Sequence, residues 1–333
     1  MSAGRLIPRD SPEYAWVSSV VRSVERLTGR PSRWNGDLYE DTRPNAAGSA
    51  LDGGGMTVNT AKVLAAAGKA YGAGRPLTED ELIEARDAVL TVVHEAKHLT
   101  HALGDESAPG ATPVYAPDAL ALEEGLTENW AHEQVDAVIQ DIGMDQYQPG
   151  LLTTESINSY PAYTATVDEL VRGTANVTGL SQSQVLETLD GADRTQRLAA
   201  IADLAIDQRM ADVLPAQDRD AVRTQLINAM RPHLATVGTL QSSEVHSDVS
   251  KSIGGHQAAQ LAVTALSTTV ADLENKYRDA ALAQAQPAAD VEHLRKFLGS
   301  GLPGESYRAG RDNAVPDNVR QLPQRRDQSQ ARE

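Results

Sequence analysis

Between Thr78 and Leu103 the sequence carries an apolar pattern that only an enclosed helix can use. Leu82, Ala85, Val89, Val92, Ala96, Leu99 and Leu103 alternate steps of three and four, which draws one continuous stripe along a helix. Ile83 and Leu90 fall on nearly the opposite side. A helix that is apolar on two faces is sandwiched inside a domain, so the chain must pack layers around it. Thr78-Glu79-Asp80-Glu81 supplies the start, because the threonine hydroxyl and the glutamate three residues on can satisfy each other's backbone N–H groups. A single Phe in 333 residues leaves aliphatic side chains and alanine to fill the core, which favours helices over sheets.

Ser11-Pro12-Glu13 opens an earlier helix that stops at Gly29-Arg30-Pro31. Arg33 to Glu40 and Ala50 to Asn59 are the strand candidates. Gly54 to Asn59 is expected at a sheet edge beside the cleft, where an unpaired backbone can bind an extended peptide, or else simply pairs. After the loop Gly104 to Pro117, helices are predicted at about 118–142, 161–174, 181–189, 194–214, 216–237 and 256–286, with a short one near 288–298. The expected fold class is mainly α, an α+β arrangement with a small sheet and a long central helix. Three segments are expected: 1–180 with that helix, a helical region over 181–298, and a disordered tail over 299–333, where apolar residues are few.

The charge balance excludes whole classes of partner. With 30 Lys+Arg against 46 Asp+Glu, the net charge of −16 repels a phosphate backbone, so nucleic acid is not expected. No apolar run has the length of a membrane span, and the first residues lack the apolar stretch of a secretory signal. A cytoplasmic protein is expected, unless a signal-free secretion or injection machine exports it as an effector or toxin. Zero cysteines exclude disulfides, Cys-ligated zinc and a thiol nucleophile.

Chemistry enters with His94-Glu95-Ala96-Lys97-His98, an H-E-x-x-H pattern on the central helix. Residues four apart sit one turn above each other, so both imidazoles can bind one metal ion. Glu95, turned by about 100°, is left to handle a water beside that ion. Zn2+ needs a third protein ligand. A histidine six residues after His98 would serve, but position 104 is Gly, and a carboxylate from a later helix is the remaining source.

Leu122-Glu123-Glu124-Gly125-Leu126-Thr127-Glu128 provides that carboxylate. Here the chain resembles the gluzincin group of zinc peptidases, whose third ligand is a glutamate on the next major helix. The segment is similar to the acid-glycine-apolar stretch of the membrane-alanyl aminopeptidase family. The resemblance covers about 50–175 and implies a zincin-like fold. It makes Glu124 the third ligand and Glu128 a support for a ligand histidine. By helix phase, Glu123 is turned about 100° from Glu124 and is expected to do neither. The resemblance also calls for a group that stabilises the oxyanion, and Tyr160 and Tyr163 at the start of a helix are the candidates. His101 and His132 fall near the site by phase and are expected behind it or at the surface.

The expected function is zinc-dependent hydrolysis of peptide or amide bonds, with a peptide or protein as substrate. The alternative is a non-catalytic protein in which zinc pins two helices. A third reading, which can coexist with either, makes the chain a scaffold whose C-terminal helices present a surface to a partner protein.

Overall fold

The computed structural model describes residues 4–299, so the tail expected over 299–333 lies outside the described residues except for Gly299. The chain divides into two units, Met1–Ala281 and Leu282–Glu333, and the second is helical up to Gly299.

The first unit begins with α1 (Pro12–Thr28), where the Ser11 hydroxyl accepts from the Tyr14 N–H and Gly29 ends the helix with φ +65°. A three-stranded sheet comes next: β1 (Leu38–Asp41), β2 (Gly48–Ala50) and β3 (Met56–Asn59) in the order β1-β3-β2. β1 runs parallel to β3 with Leu38 opposite Met56, and β2 runs antiparallel with Gly48 opposite Val58. The segment Gly54 to Asn59 therefore leads into the central strand, so of its two expected readings the edge is overturned and simple pairing holds. The edges are β1 and β2, and β2 is too short and too poor in apolar residues to show an alternating pattern.

A π-helical turn at Thr60–Leu64, capped by Asn59, leads into α2 (Ala65–Gly72). Neither is among the helices expected from the sequence. The central helix is α3 (Glu79–His98), and its capping box is present in both directions. It ends five residues before Leu103. The carbonyls of Ala102 and Leu103 accept from the backbone N–H groups of Arg194 and Thr195, which holds that stretch out of the helix.

Beyond it lie α4 (Pro117–Asp141), α5 (Pro161–Thr178), α6 (Gln182–Gly191), α7 (Arg197–Arg209), α8 (Arg219–Leu234), the short α9 (Val237–Gln241) and α10 (Asp248–Gly299). The expected separate helices over 256–286 and 288–298 are one element. The fold is mainly α with one small mixed sheet, and no described helix is long and apolar enough to cross a membrane.

Two apolar cores explain where the site forms. One gathers α1, the sheet, α2, α3 and the C-terminal half of α4 through Val135, Val138 and Ile139. The other gathers α5 to α8 and α10 with Leu122 and Leu126 from the N-terminal half of α4. α4 thus joins both, and its middle turns lie against the end of α3. Gly125 lets α5 come close: a Cβ there would collide with the Tyr163 carbonyl and the Val167 side chain.

Candidate metal centre

The last two turns of α3 carry His94 and His98 on one face, each about 5% exposed. Their Nε2 atoms lie 3.0 Å apart. Glu124 Oε2, from α4, is 3.1 Å from Nε2 of His94 and 3.6 Å from Nε2 of His98. One donor atom from each of the three residues falls within 4.8 Å of the others, a group that can hold a metal ion. The donor chemistry fits, since two imidazoles and one carboxylate are a common set for a divalent ion.

The far nitrogens are also tied down. Nδ1 of His94 donates to Glu128 Oε2 at 2.8 Å, and Nδ1 of His98 donates to Glu123 Oε1 at 2.6 Å. A carboxylate on Nδ1 fixes the ring's tautomer and leaves Nε2 as the nitrogen for a ligand. The expectation that Glu123 stands apart is corrected here. Its turn of about 100° from Glu124 takes it away from Nε2 of His98 and onto the other edge of the same ring. Helix phase placed the residue properly, but an imidazole has two nitrogens to reach.

Each supporting carboxylate has its own anchors. Glu123 is held by Arg194 at 2.5 Å and by a close contact with Arg197. Glu128 accepts from the Ser159 backbone N–H at 3.0 Å and from His132 at 3.3 Å. The two arginines precede and begin α7, and no spacing rule in the sequence links them to the centre.

Electrostatics follow from this pairing. Burial pushes the Glu123 carboxyl up, but Arg197, His98 and Arg194 hold it well below the usual range. Glu124 is likewise lowered against burial by His98 and His94, and Glu128 falls to about 2 through His132 and His94. Burial lowers His94, yet Glu124 and Glu128 more than reverse this and raise it well above its ordinary value. His98 is raised by Glu124 and Glu123 in the same way. The carboxylates around the two rings thus favour positive charge at this point.

Glu95 points from α3 to the sheet, and its Oε2 accepts from the Ala50 N–H of β2 at 2.6 Å. Gly48 makes this approach fit, because a Cβ there would stand 3.1 Å from the Glu95 side chain. Ala47 and Leu51 bond across to β3, so the alternation of an antiparallel pair turns the backbone groups of Gly48 and Ala50 away from the sheet. β2, α3 and the start of α5 enclose a cleft of about 400 Å³ lined by His94, Glu95, Glu128 and Tyr160.

Tyr160 caps α5, and its ring stacks on His94 with centroids 5.3 Å apart. Burial raises its hydroxyl pKa, and the charges of Glu124, Glu95 and Glu128 raise it further, so it remains protonated. Tyr163 stacks behind Tyr160 at 5.8 Å, buried among Ala121, Ala162 and Val237 and away from the cleft lining, with its pKa pushed up to about 12. His101 lies behind α3, with Nε2 2.8 Å from the Asp190 carbonyl. Lys97, inside the H-E-x-x-H pattern, is fully buried between Asp190 (2.6 Å) and the Trp130 ring (4.8 Å).

Compared with known proteins, the chain matches no protein-family model, no curated protein and no solved structure.

Proposed function

We propose that the protein is a zinc-dependent hydrolase of peptide bonds. The observation that carries this reading is the convergence of His94 Nε2, His98 Nε2 and Glu124 on one point while Glu95 lines the adjoining cleft. A centre that only pins helices takes four protein ligands and gains nothing from an acid beside it. Among the described residues this donor group has three members, which favours the catalytic reading over the scaffold.

In this reading His94, His98 and Glu124 hold the ion, and Glu123 and Glu128 keep the two rings aimed. Zinc, when bound, supplies Lewis acidity that polarises a carbonyl and acidifies water. Glu95 takes the proton of the attacking water and delivers it to the leaving amine. Its bond to the Ala50 N–H sets the carboxylate between β2 and the cleft. An extended substrate lies along β2, using the Gly48 N–H and the Ala50 carbonyl, since the Ala50 N–H is held by Glu95. Tyr160, protonated and stacked on His94, donates to the developing oxyanion, and Tyr163 supports its ring from behind.

The test is metal content and turnover together. The wild type should carry about one zinc per chain by mass spectrometry and cut members of a peptide library. Glu124→Ala should lose most of the metal. Glu95→Gln should keep it while turnover falls by about 10²–10⁴. A protein that takes up no zinc, or a Glu95→Gln variant as active as the wild type, would overturn the proposal.

A further inference from the structure

The cleft contains a carboxylate that the reaction does not use. Asp87 lies on α3 seven residues before His94, and seven residues turn a helix by about 700°, so the two side chains share a face. Both line the cleft, with Thr91 between them. Among the described residues, no side chain donates a hydrogen bond to Asp87 or forms an ion pair with it. The other acids around the centre are all engaged: Glu95 by Ala50, Glu128 by His94 and Ser159, and Glu124 by the histidines.

The surroundings offer little neutralisation. Burial raises the Asp87 carboxyl, and the charge of Glu128 adds to this. His132 and Lys62 oppose it through space, without contact. The cleft lining includes Asp87, Glu95 and Glu128 but no lysine or arginine. A half-buried carboxylate with that lining favours a cation over a neutral or anionic group.

We propose that Asp87 is a specificity residue that receives an ammonium or guanidinium group of the substrate, two or three residues from the bond to be cut. This role rests on the hydrolase reading and adds the substrate class. The spacing follows from geometry. Seven helical residues rise roughly 10 Å, and an extended peptide covers about 3.3 Å per residue. The cation is either a Lys or Arg side chain or the free amino terminus, and the two sources are separable by experiment.

The probe is a set of short fluorescent Ala/Gly/Leu peptides with a single lysine moved through successive positions. Matching sets carry norleucine in its place or an acetylated amino terminus. Cleavage is measured with the zinc-loaded wild type and Asp87→Asn. Binding is measured by anisotropy with Glu95→Gln, alone and combined with Asp87→Asn. Lysine at one fixed position should be preferred over norleucine by about 10–100-fold in kcat/KM, the scale of a partly desolvated charge pair. Asp87→Asn should bring that ratio close to one while zinc content stays at the wild-type level. Loss of cleavage on acetylation alone would identify the amino terminus as the cation.

The two readings fail separately. Cleavage with no preference for a cation, or a preference that survives Asp87→Asn, overturns the role of Asp87 and leaves the hydrolase. Cation-selective binding that depends on Asp87, without any cleavage, keeps the site and removes the hydrolase. Neither cleavage nor selective binding overturns both.

Discussion

Replacing Glu123 with alanine removes the one carboxylate shared by His98, Arg194 and Arg197. The Glu123 side chain is 2% exposed and those of the arginines 9% and 4%, so water cannot take its place without rearrangement. Breaking a buried pair by deleting one partner costs about 3–5 kcal/mol, because the remaining charges stay buried without compensation. At about 2 °C per kcal/mol for a unit of this size, the melting temperature should fall by roughly 6–10 °C. His98 also loses the group that orients its ring, which should weaken zinc binding by about 10–100-fold. Glu123→Gln keeps an acceptor for His98 Nδ1 but not the charge, so it should recover part of the metal affinity and little of the stability. Calorimetry of the metal-free proteins and zinc competition with a chelating dye read the two effects separately. A Glu123→Ala protein that melts within about 1 °C of the wild type and binds zinc equally well would refute the reasoning.

Two further outcomes are expected from the same geometry. Gly125→Ala should destabilise the fold by about 1–3 kcal/mol through overpacking against the Tyr163 carbonyl, measured by urea unfolding; an unchanged midpoint would mean that α4 and α5 are not in close contact. Zinc should raise the melting temperature more at pH 8 than at pH 6. His94 and His98, raised above 6.5 in the metal-free fold, contribute stability that is fully present below that value and lost as pH rises through their folded pKa, whereas binding an ion displaces their protons and strengthens over the same window; a zinc effect independent of pH would count against these two ligands.

Much of this molecule is set by local sequence. The start of α3 is a capping box, its apolar stripe buries Ala85, Val89, Val92 and Ala96, and His94 and His98 share a face because four residues make about one turn. The four-residue spacing of Glu124 and Glu128 puts both on the inner side of α4 for the same reason. These are properties of one helix at a time, where spacing alone sets direction.

The tertiary structure decided what no spacing encodes. Glu123 meets His98 because α4 crosses α3 at a distance that lets one residue reach the second ring nitrogen. Arg194 and Arg197 complete that contact from 71 and 74 residues further along the chain. β2 became an edge strand beside α3 although its three residues carry no pattern, since its position depends on pairing with β3 and on Gly48 fitting against Glu95. Tyr160 and Tyr163 are nearly equivalent in sequence, yet one stacks on His94 at the cleft and the other is buried behind it. Periodicity fixes where a side chain points from its own axis, and the distance between axes, set by how the two apolar cores pack along α4, fixes what it meets.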